Sequence, residues 1–73
     1  MSNADRVEVT VTSLSAAHAF ARDDFGESYF IYRGNFQQTS AEFETITEGT
    51  VLTGLPIQHP QGWRLIEIRV ERW

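Results

Sequence analysis

Residues 16–33, which read AAHAFARDDFGESYFIYR, carry the strongest local structural signals in the chain. Residues 28–33 combine aromatic and β-branched side chains, as β-strands commonly do. Residues 16–21 are rich in alanine, which favours a helix, but their alternation also fits a strand with one small-residue face. The intervening residues 23–27 contain two aspartates and a glycine, which are typical turn residues. Two strands separated by such a turn predict a β-hairpin.

On either side of the hairpin the chain predicts three further strands. Residues 6–12 alternate apolar and polar side chains and include β-branched residues, which indicates a half-buried strand. Residues 34–49 form a polar connection that is long for a compact domain, so we expect it to contain a helical turn or to serve function. Residues 50–57 predict a fourth strand, whose glycine and proline indicate a bulge or an edge position. After a turn at residues 59–62, residues 63–71 alternate again and predict a fifth strand.

Five short strands with one long connection predict an all-β fold. The expected architecture is a small five-stranded antiparallel Greek-key barrel of the oligonucleotide-binding (OB-fold) class, in which closure removes exposed sheet edges. An SH3-like barrel is the structural alternative at this length. We predict a single domain over residues 5–72, with residues 1–4 a disordered N-terminus or a tag remnant.

Composition limits the classes of protein and of site that the chain can represent. The sequence has 73 residues and no cysteine, which excludes disulfides and thiolate metal sites. No apolar run approaches the roughly 20 residues needed to span a membrane, and no secretory signal is evident. We therefore predict a cytoplasmic protein that does not associate with membranes.

The charge bears on the choice of nucleic-acid partner. The net charge is −4, and all six basic residues are arginine. Acidity argues against a protein that coats duplex DNA by neutralising phosphates, but a single-strand binder can gain much of its affinity from stacking on aromatic rings. Arginine side chains can stack on bases as well as contact phosphates, although genomic base composition explains the absence of lysine equally well.

Alternation along the hairpin predicts an aromatic surface. Successive side chains in a strand point to opposite faces, so His18 and Phe20 share one face of the second strand, and Phe30 and Tyr32 share one face of the third. If the two strands pair antiparallel, these four rings form one platform on which bases can stack. The alternative is that the rings are simply core, which is the commonest use of Phe and Tyr. The small alanine face opposite His18 and Phe20 suits the narrow interior of a small barrel, which favours the platform.

The order and spacing of several segments resemble the cold-shock domain family from about residue 7 to residue 70. Residues 29–33 follow the rhythm of a motif of the form Val-Phe-Val-His-Phe, and FETITEG at residues 43–49 is similar to Phe-Lys-Thr-Leu-Glu-Glu-Gly. Residues 62–70, which read GWRLIEIRV, are similar to the closing pattern of the family, Gly-x-x-Ala-x-x-Val. The chain departs from the family at residues 10–12, where the family has Lys-Trp-Phe. It also departs at residues 16–21, which lie where the family has a first motif of the form Lys-Gly-aromatic-Gly-Phe-Ile and carry alanines in place of its lysine and both glycines. The resemblance implies an OB-fold and a nucleic-acid surface on His18, Phe20, Phe30 and Tyr32, with Phe43 at its margin.

Other polar and aromatic residues receive weaker assignments. Arg33 follows the aromatic strand and either stacks on a base or holds a phosphate, or else is a solvated strand-end residue. Arg22 and Arg64 are secondary candidates for contacts to the nucleic-acid backbone, and Trp63 is expected to close one end of the barrel more than to bind. No nucleophile motif surrounds any serine, and the two histidines have no carboxylate at ligand spacing. We therefore predict no enzymatic activity, no metal and no cofactor.

Two functions remain open at this point. The first is low-specificity binding of single-stranded RNA or DNA by stacking, in the manner of an RNA chaperone or a transcript regulator. The second is a barrel of the same kind that has lost nucleic-acid binding and serves as a protein-protein interaction module; the net negative charge favours it. In either case we expect a monomer or a weak dimer, with a protein partner possible.

Overall fold

The computed structural model of the chain describes residues 6–73, so the prediction for residues 1–4 lies outside the described residues. Five strands and two short 3₁₀ helices account for most of that range. The strands are β1 (Val7–Leu14), β2 (His18–Arg22), β3 (Ser28–Tyr32), β4 (Val51–His59) and β5 (Gly62–Arg72), and the 3₁₀ helices are Arg33–Asn35 and Ser40–Thr45. Each predicted strand is present, with ends displaced by one or two residues.

The strands close into a barrel in the order β1-β2-β3-β5-β4, with β4 pairing back onto β1. This closed five-stranded β-barrel confirms the predicted fold class. Four of the strand pairs are antiparallel, but β3 and β5 run parallel, so the barrel is mixed in orientation and the expectation of a wholly antiparallel barrel is corrected. Strand β5 can pair parallel with β3 because β4 runs in the opposite direction and returns the chain to the end of the barrel at which β3 starts.

Because side chains alternate along each strand, every second side chain points into the barrel. On β2 the inward residues are alanines, whose small side chains leave space for the larger residues of β3, β4 and β5. The innermost side chains, all nearly or completely buried, are Val9, Val11, Ala19, Ala21, Tyr29, Ile31, Leu52, Leu65 and Ile68. The strand interpretation of residues 18–21 is therefore the correct one.

The connection between β3 and β4 closes one end of the barrel. Thr39 caps its second 3₁₀ helix, because the Thr39 side chain accepts a hydrogen bond from the Ala41 N–H. Phe36, Phe43 and Ile46 turn inward from this connection and join the core. The predicted helical turn is thus present, and its apolar residues seal the barrel.

A bulge interrupts the pairing of β4 with β5. Residue register shifts between Thr53 and Leu55, and opposite this shift Glu67 adopts a left-handed backbone with φ of 49°. Gly54 allows the close approach, because a Cβ atom there would lie 2.6 Å from the Leu65 Cγ atom. Arg6 spans the bulge by donating hydrogen bonds from Nη2 to the carbonyl oxygens of Thr53 and Glu67, at 3.1 and 2.8 Å. The predicted irregularity at Gly54 is therefore present, but the extra residue of the bulge lies on β5, where Glu67 and Ile68 are opposite Gly54.

Within residues 6–73, no helix has the length and apolar character required to cross a lipid bilayer.

Candidate nucleic-acid interface

Four rings meet on the outer face of the β2–β3 hairpin, and we call them the aromatic platform: His18, Phe20, Phe30 and Tyr32. The antiparallel register pairs His18 with Tyr32 and Phe20 with Phe30. Ring centroids of neighbouring members lie 4.5 to 5.8 Å apart, from Phe30–Tyr32 at 4.5 Å to His18–Phe20 at 5.8 Å. These separations are those of packed aromatic pairs, so the platform is one continuous surface.

The platform faces solvent on one side and the barrel core on the other. Phe20 is 43% exposed and Tyr32 is 38% exposed, while His18 and Phe30 are half-buried between their neighbours. The alternate residues of the same strands, including Ala19 and Ile31, are completely buried. Because a folded domain gains nothing from leaving large rings in water, such a cluster of exposed rings marks a candidate contact surface.

One end of the platform is held by the loop between β1 and β2. The Ser15 Oγ atom lies 3.0 Å from the His18 Nε2 atom, and the Ser15 N–H donates to the His18 carbonyl oxygen at 2.9 Å. These contacts fix both the backbone and the ring of His18. The imidazole is therefore positioned as a member of the platform before any ligand arrives.

The other end is fixed by a hydrogen-bonded turn built on Asp23. The Asp23 Oδ1 atom accepts the N–H groups of Phe25 and Glu27, and Oδ2 accepts the Tyr29 hydroxyl, all at 2.9 Å. Desolvation opposes ionisation of this carboxyl, but these hydrogen bonds hold the pKa of Asp23 below its ordinary 3.8. Desolvation, followed by the hydrogen bond to Asp23, raises the pKa of Tyr29 to about 12. The turn therefore anchors β3 through its first inward-facing residue.

A groove of about 550 Å³ runs beside the platform toward the β4–β5 turn. The platform forms one wall, and the turn and the start of β5 form the other. The residues of this second wall are His59, Gln61, Gly62, Trp63 and Arg64, with Glu27, Ser28 and Tyr29 at the end of the groove. This volume lies in the range of small-molecule sites in proteins, and the lining combines rings with hydrogen-bonding side chains.

Arg64 contacts a ring of the platform, although sequence reasoning ranked it below Arg33. It is the register partner of Phe30 across the parallel β3–β5 pair, and its Cζ atom lies 5.2 Å from the Tyr32 ring centroid. That distance is within the range of a cation–π interaction. The position follows from the parallel pairing, which the sequence did not predict. Alternation within β5, which gives residue 64 a face opposite the buried Leu65, was the available signal.

Arg33 and Phe43 do not join the platform. Arg33 begins a 3₁₀ helix where β3 was expected to continue, and its guanidinium pairs with the Glu44 carboxylate at 2.6 Å. Phe43 is only 5% exposed and packs edge-on against Phe36 in the core, with ring centroids 6.1 Å apart. The expectation that Phe43 lies at the margin of the exposed surface is therefore wrong. The 3₁₀ turn directs this ring inward, where it seals the barrel.

Among the described residues, no group of three or more His, Asp or Glu side chains is arranged to hold a metal ion. No protein-family model matches the chain, and searches of curated proteins and of solved structures give no significant match.

Proposed function

We propose that the protein binds single-stranded RNA or DNA by stacking bases on the aromatic platform. The observation that carries this proposal is the solvent-facing cluster of His18, Phe20, Phe30 and Tyr32 on one hairpin of a closed five-stranded barrel. Every base has a π-face, so rings of this kind accept any base with little discrimination. The groove beside the platform gives the strand room to lie along the hairpin.

The proposed mechanism is passive. Stacked bases are unavailable for pairing, so the protein keeps strands open without a cofactor, nucleotide hydrolysis or any enzymatic step. The resemblance to the cold-shock domain supports this mechanism, because the platform occupies the positions on which that family binds nucleic acid. We place this activity, of the RNA-chaperone or transcript-regulator type, in the cytoplasm, which the absence of cysteine supports.

The test is a titration of the whole protein with a thymidine heptamer, read by intrinsic fluorescence. Trp63 lines the groove and reports on its occupation, and a Trp73→Phe background removes the second indole. We expect Phe20→Ala to weaken binding by about 1–3 kcal/mol, which is the contribution of one stacked base. Phe20 is the appropriate target because it is the most exposed ring of the platform, so its loss leaves the core intact.

Phe25→Ala is the matched control. Phe25 is 95% exposed on the β2–β3 turn, makes no ring pair with the platform and does not line the groove. The same substitution there removes an exposed phenyl ring without touching the proposed site, so affinity is expected to stay within about twofold of the parent. Equal losses for the two variants, or no binding by the parent at millimolar oligonucleotide, would overturn the proposal.

A protein-protein interaction module is the second candidate. It is favoured by the net charge of −4 and by the pairing of Arg33 with Glu44, which removes one cation that a nucleic-acid strand could otherwise contact. In this case the exposed rings would contact apolar side chains of a partner. Absence of oligonucleotide binding, together with an intact fold, is the outcome that selects this function.

A further inference from the structure

Arg64 is a partly buried arginine whose hydrogen-bonding groups are not engaged by the protein, whereas Arg22 and Arg72, which also have no partner among the described residues, are exposed. Arg33 pairs with Glu44, Arg69 donates to Gln37 at 2.6 Å, and Arg6 donates to two backbone carbonyls. Within residues 6–73, Arg64 has no ion-pair partner, and its buried Nε atom has no hydrogen-bond partner. A buried donor without a partner is unfavourable and is uncommon in native proteins. Because Nε is enclosed by the protein, an acceptor from outside can reach only the terminal nitrogens of the guanidinium, which have no hydrogen-bond partner among the described residues.

The position of Arg64 defines where that acceptor must lie. Phe30 and Arg64 are register partners on adjacent strands, which run about 4.8 Å apart. Both residues line the same groove, and the guanidinium rests against the Tyr32 ring. A base that stacks over Phe30 therefore presents one of its edges, and not its face, to Arg64.

The chemistry of the guanidinium selects among base edges. Its planar fork offers parallel N–H donors, which match a pair of adjacent acceptors. On the major-groove edge of the base, guanine presents such a pair in O6 and N7, whereas adenine places an amino donor beside N7, thymine or uracil offers a single O4 acceptor, and cytosine offers an amino donor. We favour a base edge over a phosphate as the acceptor, because the guanidinium rests against the Tyr32 ring of the platform.

We propose that Arg64 is a specificity-determining residue that reads the O6/N7 edge of a guanine stacked on the platform. This inference rests on the proposed function and adds to it one base preference at one position of an otherwise permissive strand. The remaining bases still stack without discrimination. The expected preferred ligand is therefore a single strand that contains an unpaired guanine.

The test compares thymidine heptamers whose central base is thymine, adenine, guanine or 7-deazaguanine, which lacks the N7 acceptor. We expect the parent protein to bind the guanine heptamer about fivefold to a hundredfold more tightly than the thymine heptamer, as one bidentate contact can provide. The 7-deazaguanine heptamer should lose most of that advantage. Arg64→Gln should abolish the preference while it still binds the thymine heptamer, and Arg64→Lys, which keeps the charge but not the fork, should lose most of it too.

Arg69→Gln is the matched control, because Arg69 is an exposed arginine of the same strand that bonds to Gln37 outside the groove. It should keep the full guanine preference. Two results overturn the assignment: a parent protein that binds all four heptamers equally, or an Arg64→Gln variant that retains the preference. Uniform weakening of all four heptamers by Arg64→Gln would instead make Arg64 a phosphate contact and would also refute base reading. If no heptamer binds, the proposed function itself is contradicted. The experiment therefore distinguishes failure of the proposed function from failure of the guanine assignment.

Discussion

Thr50 is a buried polar residue whose side chain bonds within the β3–β4 connection and whose backbone carbonyl bonds to β1. It is completely buried, and its Oγ1 atom accepts the Thr47 N–H at 2.9 Å, while its carbonyl oxygen accepts the Val11 N–H at 2.9 Å. We expect Thr50→Val, which keeps the shape but removes the acceptor, to lower the free energy of unfolding by about 1 kcal/mol. Urea denaturation measures the change. Thr10→Val, at an exposed position of β1, should stay within about 0.5 kcal/mol of the parent, and a similar loss at both positions would contradict the assignment.

The Tyr29–Asp23 hydrogen bond predicts an alkaline transition. Because the pKa of Tyr29 is raised to about 12 from an ordinary 10.0, the fold favours the neutral phenol. Its contribution to stability is complete below pH 10 and is lost as the pH rises through about 12. Tyrosinate absorbance should show a phase near pH 12 that Tyr29→Phe removes. A phase near pH 10 that disappears in this variant would show that the phenol is not held as described.

The stability that Asp23 contributes depends on pH in the acid range. Its pKa is lowered below 3.8 in the fold, so the stability it contributes is present above pH 3.8 and is lost as the pH falls through the folded value. The two partners thus limit the stability of the same turn from opposite ends of the pH range.

At this scale, alternation alone was enough to predict the faces of the hairpin. His18, Phe20, Phe30 and Tyr32 lie together outside because side chains two apart in a strand share a face. Phe43 was misplaced because it lies in a 3₁₀ turn, where side-chain direction depends on how the turn docks against Phe36 and not on a local period. Local sequence patterns carry no information on that docking.

Among the elements, β5 contains the one strained backbone position among the non-glycine residues that the structure describes. Glu67 has φ of 49°, in the left-handed region that costs a residue with a Cβ atom about 1–2 kcal/mol. We therefore expect Glu67→Gly to be more stable than Glu67→Ala by about 1 kcal/mol, as measured by thermal or urea unfolding. At Glu71, an exposed position of the same strand with ordinary φ, alanine should instead be the more stable of the two. The same order of stability at both positions would contradict a strained bulge.

The elements also show where sequence reasoning reaches its limit. Five strands, the turn at Asp23 and an irregularity at Gly54 could be predicted because each has a local signature in alternation, turn residues or glycine, whereas the extra residue of the bulge lies on β5. The parallel pairing of β3 with β5 could not, because register between distant strands is decided by closure of the whole barrel. Arg64 was underrated for that reason, since its proximity to Phe30 exists only through this pairing.

For the whole molecule, the distribution of charge predicts a weak salt dependence of binding. The chain has a net charge of −4, and of Arg22 and Arg64, the two arginines beside the platform, Arg64 is assigned to a base edge. Contact of Arg22 with one phosphate predicts a slope of log affinity against log salt of about −0.7 for a single strand. Titration of the thymidine heptamer over a range of sodium chloride concentrations measures this slope. A slope of about −3 or steeper would show that phosphate contacts, and not stacking, dominate the affinity.

Under the proposed function, the parallel β3–β5 pair also makes recognition dependent on closure of the barrel. The two walls of the groove come from strands that are far apart in the chain, and they meet only when the barrel closes. Chains in which β5 has not yet docked have the hairpin rings but not the opposite wall, so an oligonucleotide distinguishes closed molecules from partly open ones. We therefore expect a bound oligonucleotide to stabilise the docked position of β5. At a free ligand concentration of about 100 times the dissociation constant, it should stabilise the native state by about 2.7 kcal/mol. Hydrogen exchange at the amides of β3 and β5 should slow accordingly when the strand is bound.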